Sequence, residues 1–193
     1  MGKELFTESI RRHVGITDEE IDSVWSLGIE RRVKKGQYII HNGTVAKKTC
    51  FISSGTAVGY FIDTKGEEYL IQFGFDGWWI SDISSFLKGT PALLNVQAIE
   101  DTLVYEFSSE AISEAFEKAP SFQSYFLAIT QNAFASFQAR TLNNLSMSAE
   151  ERYVDFCNKY PQVSQKLSQK WIASYLGISP ESLSRLKSKL LKS

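Results

Sequence analysis

The chain has 193 residues, 43% of them hydrophobic and 22% charged, with a formal net charge of −1. These are globular values, and the length suits one large or two small domains. No apolar run approaches the length of a membrane span and no signal-peptide pattern opens the chain, so a soluble, cytoplasmic protein is expected. Cys50 and Cys157 lie far apart without metal-type spacing, so two buried free thiols are expected and no metal site.

From Lys3 to about His13, Leu5, Phe6 and Ile10 recur at helical spacing. Thr17-Asp18-Glu19-Glu20 is a capping box, with threonine at the cap and glutamate three residues later. The helix it starts carries Ile21, Val24, Trp25 and Leu27. From Arg31 to about Phe107 the texture changes to short runs of Val, Ile, Phe and Tyr punctuated by glycine. Residues 37–40, 49–53, 56–62, 68–73, 95–99 and 102–107 are strand candidates, and Asp63-Thr64-Lys65-Gly66 is a hairpin turn between the third and fourth. Many short strands at this spacing predict a β-barrel or jelly roll. Asp76 to Pro91 is the least regular part, with a very apolar Trp78-Trp79-Ile80 and one short helix carrying Ile83, Phe86 and Leu87.

The helical period returns at Ser108. A short helix ends near Pro120, and Ser121 can cap a second that runs to about Leu145. Its apolar positions include Phe122, Phe126, Ile129, Ala133, Phe134 and Phe137. Some 25 residues would span roughly 37 Å at the α-helical rise. The phenylalanines spread around more than one face, which favours a helix that packs on its own barrel and on a second copy of the chain. The simpler alternative is one amphipathic helix lying on the barrel.

Ser148 opens the last region, and Tyr160-Pro161 ends its first helix. Two short helices joined by a tight turn then run from Ser168 to Leu190. Ser168 can cap the first, Leu167 and Ile172 have hydrophobic-staple spacing, and Gly177 stands where a left-handed C-terminus wants glycine. Ser179 can cap the second, with Pro180 at its first position. Ile172, Ala173, Leu176, Ile178, Leu183, Leu186 and Leu190 can share one core. Glu181, Ser184, Arg185, Ser188 and Lys189 then face outward. That layout fits a DNA-binding helix-turn-helix, whose second helix enters the major groove; the alternative is an ordinary helical hairpin. From Ala149 onward the formal charge is +4, against −5 for residues 1–148, as suits a module for a phosphate backbone.

A glycine-punctuated barrel, a long helix and a helix-turn-helix, in this order, resemble the Crp/Fnr superfamily of bacterial transcription regulators over nearly the whole chain. Residues 32–40 and 51–55 look like the family's first barrel motifs, and residues 172–185 are the most specific match. The resemblance implies an α+β fold in three parts. Residues 1–120 would form a jelly-roll sensor domain like a cyclic-nucleotide-binding domain, 121–147 a dimerisation helix, and 148–193 a helix-turn-helix domain. It implies double-stranded DNA, a second copy and RNA polymerase as partners, and no enzymatic activity. Glu181, Ser184 and Arg185 fall on the family's Glu-x-x-Ser-Arg, which on Fnr-like members reads a half-site resembling TTGAT. Arginine can donate two bonds to guanine and glutamate can accept from cytosine. Ser168, Gln169 and Lys170 fall on phosphate contacts, with Ser179, Ser182 and Lys189 completing the expected DNA surface. Many members add a two-stranded wing after the recognition helix; only Leu191, Lys192 and Ser193 follow here, which implies a wingless form.

The sensory half departs from the cyclic-AMP pattern. Trp78 stands at the glutamate that would hold the ribose, Ala92 at the arginine that would hold the phosphate, and Leu93 at the neighbouring serine. A buried phosphate needs a cation and directed donors, so cyclic AMP is not expected and no cofactor is. Phe73, Trp78, Trp79, Ala92, Leu93, Asn95 and Gln97 are the candidate pocket. It would either hold an unidentified small apolar or aromatic effector or be filled by the two tryptophans. Two cysteines are too few for an iron–sulfur cluster, and His13 and His41 are isolated. The competing function is a ligand-binding barrel whose C-terminal helices make protein contacts.

Overall fold

Short strands separated by glycine turns pair into two antiparallel four-stranded sheets. In the computed structural model, which describes residues 2–190, two helices come first: α1 (Gly2–Arg11) and α2 (Asp18–Ser26). Five strands follow, β1 (Ile29–Val33), β2 (Tyr38–Ile40), β3 (Lys48–Ser54), β4 (Thr56–Ile62) and β5 (Glu68–Phe75). Then come β6 (Trp79–Ile80), the short α3 (Ile83–Lys88), β7 (Asn95–Ala98) and β8 (Thr102–Ser108). The remaining helices are α4 (Ser109–Lys118), α5 (Pro120–Ser146), α6 (Ala149–Lys159), α7 (Pro161–Lys166), α8 (Gln169–Leu176) and α9 (Pro180–Leu190). One sheet has the order β1-β8-β3-β6 and the other β2-β7-β4-β5. This is the expected jelly-roll arrangement followed by helices.

Packing divides the chain into two units. The first takes the residues up to Phe61 and Gln72–Gln131; the second takes Ile62–Ile71 and the chain from Asn132 onward. These limits differ from 1–120, 121–147 and 148–193, because contacts do not follow periodicity. The tip of the β4–β5 hairpin groups with the C-terminal helices, and α5 contributes to both units. The wingless reading rests on residues 191–193, which lie outside the described residues.

The first unit is organised around Phe6 of α1. Its ring lies 5.2 Å from Trp25, 5.1 Å edge-on to Phe51, 6.0 Å from Phe107 and 6.1 Å from Phe122. Burying such a ring contributes about 1.5–3 kcal/mol, and well-placed aromatic pairs add about 0.5–1.5 kcal/mol each. Beside this core, Glu106 of β8 is almost wholly buried and binds Arg31 at 2.8 Å and Lys48 at 2.5 Å. Burial works to raise its pKa, but the bonds from Lys48 and Arg31 outweigh it and hold the carboxyl below its ordinary value. Burial and the neighbouring Glu106 push the Cys50 thiol up to about 12.

The capping box at Thr17 forms as expected, with both reciprocal bonds. At the start of α5 the expected cap is replaced: Pro120 opens the helix, and the Glu20 carboxylate accepts from Ser121 N–H at 3.3 Å. Three elements are absent from the sequence reading. Strand β1 is charged and mostly exposed, β6 has two residues, and α7 buries only Val163.

Candidate nucleic-acid interface

Local chemistry sets the two helices that would meet DNA. Ser168 caps α8, its hydroxyl accepting from Trp171 N–H at 3.2 Å. Gly177 ends the helix with φ 66° and ψ 36°, a left-handed geometry that an L side chain adopts only at a cost. Ile178 N–H then reaches back to Ala173 O at 3.0 Å, closing a Schellman-type turn. Ser179 caps α9 by accepting from Ser182 N–H at 3.2 Å. Ile172, Ala173, Leu176 and Leu183 are buried together with Phe156, Val163 and Leu167. Ile178, Leu186 and Leu190, expected in that core, are only half-buried.

Opposite Leu183, α9 exposes Glu181, Ser184, Arg185, Ser188 and Lys189, while Ser182 is half-buried under its cap. Glu181 and Arg185 are four residues apart on one helix face. The glutamate is held below its ordinary pKa by its own backbone N–H, then by Ser179 and the charge of Arg185. Ser168, Gln169 and Lys170 are exposed at the start of α8, and Ser179 at the start of α9. Two of the cationic candidates have partners within their own unit. Lys189 pairs with Glu150 at 2.6 Å. Lys170 stands 3.7 Å from both Glu67 and Glu68 of the hairpin tip.

The candidate pocket residues serve separate surroundings. Trp78 immediately precedes β6 and Trp79 opens it, and their rings meet different neighbours. Trp79 packs among Phe51, Phe107 and Phe126, and its indole N–H donates to Tyr125 OH at 2.9 Å. Trp78 lies against Phe75 at 4.6 Å and stacks at 6.2 Å on the buried Phe73. The expectation that the two tryptophans line or fill one cavity is therefore corrected. Ala92 is buried, whereas Leu93 is 65% exposed. Asn95 accepts from Asn42 N–H at 3.0 Å, and Gln97 donates to Gly36 O at 2.7 Å.

The expected dimer helix also divides. Phe122 is fully buried against Phe6 and Phe116, so it is a core residue and not a surface for a second copy. Phe126 and Ile129 are half-buried against the same core. From Asn132 to Ala139 every residue of α5 is exposed, including Ala133, Phe134 at 68% and Phe137 at 54%.

Residues 30–119 match the cyclic nucleotide-binding domain family. Regulatory protein HlyX of Actinobacillus pleuropneumoniae is 27% identical over 184 residues, spanning 86% of this chain and 73% of that protein. The fumarate and nitrate reduction regulatory protein of Vibrio cholerae is 26% identical, spanning 92% of this chain and 75% of its own. Among solved structures, the c-di-GMP responsive global regulator CLP of Xanthomonas campestris aligns with a TM-score of 0.74 at 14% identity, covering 90% of this chain and 91% of that one. Over nearly its whole length the chain is thus similar to transcription regulators of the Crp/Fnr type, and it carries their cyclic nucleotide-binding-type domain.

The sequence reading misses two residues of consequence, the first of them Asp82. It is buried, caps α3 by accepting from Ser85 N–H at 3.0 Å, and accepts from Leu93 N–H at 2.8 Å and Leu94 N–H at 3.0 Å. The loop between α3 and β7 thus closes on a carboxylate supplied by the chain itself. The available signal was an aspartate immediately before a short helical pattern. Arg140 was missed too: it donates to Ile71 O at 2.8 Å and lies 4.5 Å over the Tyr175 ring. No helix among the described residues is long and apolar enough to cross a membrane.

Proposed function

We propose that the protein is a homodimeric, DNA-binding transcription regulator that reads a two-fold symmetric site through α9. The carrying observation is that Glu181, Ser184 and Arg185 are exposed on one side of a capped helix whose other side is buried through Leu183. Their chemistry suits base edges: two donors from Arg185 for guanine and an acceptor on Glu181 for cytosine. Ser168, Gln169 and Lys170 stand at the N-terminus of α8, where N–H groups and dipole favour a phosphate. Dimerisation is supported by Leu127, Phe134 and Phe137. They are exposed, and their spacings of seven and three residues are those of a coiled-coil seam. Two half-sites about 34 Å apart, one helical turn, would then be read together.

Cyclic AMP is not the effector in this reading. Leu93 N–H and Leu94 N–H, donors beside the expected phosphate position, are already bonded to Asp82, and no arginine stands at 92. The regulator works in the cytoplasm, with RNA polymerase as the partner through which it acts, and it has no catalytic role.

The test is fluorescence anisotropy with DNA from the gene's own upstream region, titrated at several salt concentrations, with Arg185→Ala beside the parent. The expected result is tight, sequence-selective binding that weakens steeply with salt, because neutralised phosphates release counterions. If the parent prefers no sequence over competitor DNA, the regulator reading fails. A flat salt dependence would favour the barrel with protein-binding helices.

A further inference from the structure

The second unit contains a contact that DNA recognition does not call for. Lys170 and Ser174 are four residues apart on α8 and share one face. That face is taken by the tip of the β4–β5 hairpin. Leu70 N–H donates to Ser174 Oγ at 2.9 Å, across 104 residues of sequence. Glu67 and Glu68 each place a carboxylate oxygen 3.7 Å from Lys170 Nζ. Arg140, donating to Ile71 O and lying over Tyr175, fixes the next residue of the hairpin to the same unit. The turn that presents the acids is itself ordered. Asp63 accepts from Lys65 N–H at 2.8 Å and Glu67 N–H at 2.9 Å.

We propose that this acidic hairpin tip is an intramolecular latch that occupies the phosphate-binding surface of α8 in place of DNA. The inference rests on the DNA-binding reading above. Two carboxylates beside one ammonium mimic the charge of a phosphate backbone. They cannot remain there once DNA arrives, because phosphate and carboxylate would then repel each other around a single cation. DNA binding therefore requires the hairpin tip to leave Lys170 and Ser174. Any signal that stabilises the tip elsewhere raises DNA affinity.

The test combines an affinity and a hydrogen-exchange measurement on the full chain. Glu67→Gln with Glu68→Gln is compared with the parent and with a charge-matched control on α4, Glu114→Gln with Glu117→Gln. The latch predicts about two- to tenfold tighter DNA binding for the hairpin pair, the scale of two exposed ion pairs, and a smaller gain for the control. It also predicts that the Leu70 amide exchanges faster in the DNA complex than in the free protein. Equal gains from the two double variants, or a Leu70 amide that stays as protected with DNA as without it, overturns the latch and leaves the DNA-binding reading intact. If the parent and both double variants all fail to bind DNA, the DNA-binding reading itself is what has failed, and the latch falls with it.

Discussion

The two packing units are held by different kinds of contact. In the first, the groups that matter are closed off. Phe6 sits inside a ring of aromatic neighbours, Asp82 feeds three backbone donors from a buried position, and Glu106 is almost wholly covered by its two cations. In the second, they are open to exchange. Phe134 and Phe137 face solvent, Arg185 is exposed, and Lys170 and Lys189 are held by surface carboxylates. The difference teaches where specificity for partners can live. A buried carboxylate is costly to remove and fixes one shape, whereas an exposed ion pair is worth about 0–1 kcal/mol and yields to a competitor.

The contrast is broken most strongly at Asp82. Asp82→Ala leaves three backbone N–H groups without their acceptor, each costing roughly 1–3 kcal/mol. A loss of about 3–5 kcal/mol in urea unfolding is expected, with Asp82→Asn recovering part of it. A loss below about 1 kcal/mol would mean that the loop is not closed by this carboxylate. In the second unit, Phe134→Glu should leave unfolding of the isolated chain nearly unchanged. It should weaken self-association by about thirtyfold or more, the scale of a lost interface hot spot, as read by sedimentation equilibrium. Arg185→Ala should cost about 1–3 kcal/mol of specific DNA affinity while binding to competitor DNA changes little.

The smallest effect sharpens the contrast through pH. Glu106 has a folded pKa below the ordinary glutamate value of 4.5. Its contribution is therefore fully present above that value and is lost as pH falls through the folded pKa. Glu106→Gln should cost about 1–2 kcal/mol at pH 7, since Arg31 and Lys48 are partly exposed and can rehydrate. The gap from the parent should narrow below about pH 4.5, in thermal melts run from pH 7 to pH 3. A gap that stays constant over that range would remove the ionised Glu106 from the account.

What the sequence disclosed was what adjacent residues decide among themselves. The box at Thr17, the cap at Ser168, the left-handed Gly177 and the turn at Asp63 are bonds within four residues of chain, and all form as expected. Strand β1 stayed hidden because its Ile-Glu-Arg-Arg-Val run is held by pairing with β8, not by a buried face. Phe122 was misjudged for a related reason. Along α5 phenylalanines occupy several faces, so periodicity could not tell which of them meets the chain's own core. Trp78 and Trp79 looked like one apolar feature, yet their rings meet different neighbours, Phe75 for the first and Phe51 for the second. The meetings of Asp82 with Leu93, and of Lys170 with Glu67 and Glu68, depend on tertiary packing across 11 and about a hundred residues. The exposed polar side of α9 was legible because amphipathicity alone determines it.

The turn at Asp63 also sets a clock. In the latch proposed above, a hairpin tip of ten residues, tied by two side-chain hydrogen bonds, two ion pairs at 3.7 Å and the buried Leu70, would open and close as a loop motion, a class that runs from nanoseconds to microseconds. Encounters with an operator are far rarer than that. With such a latch DNA would sample a pre-equilibrated population, and its observed dissociation constant would be the intrinsic one divided by the open fraction. A contact of this kind works as a dial on occupancy rather than as a timer. Its setting changes in proportion to every small bias placed on ten residues.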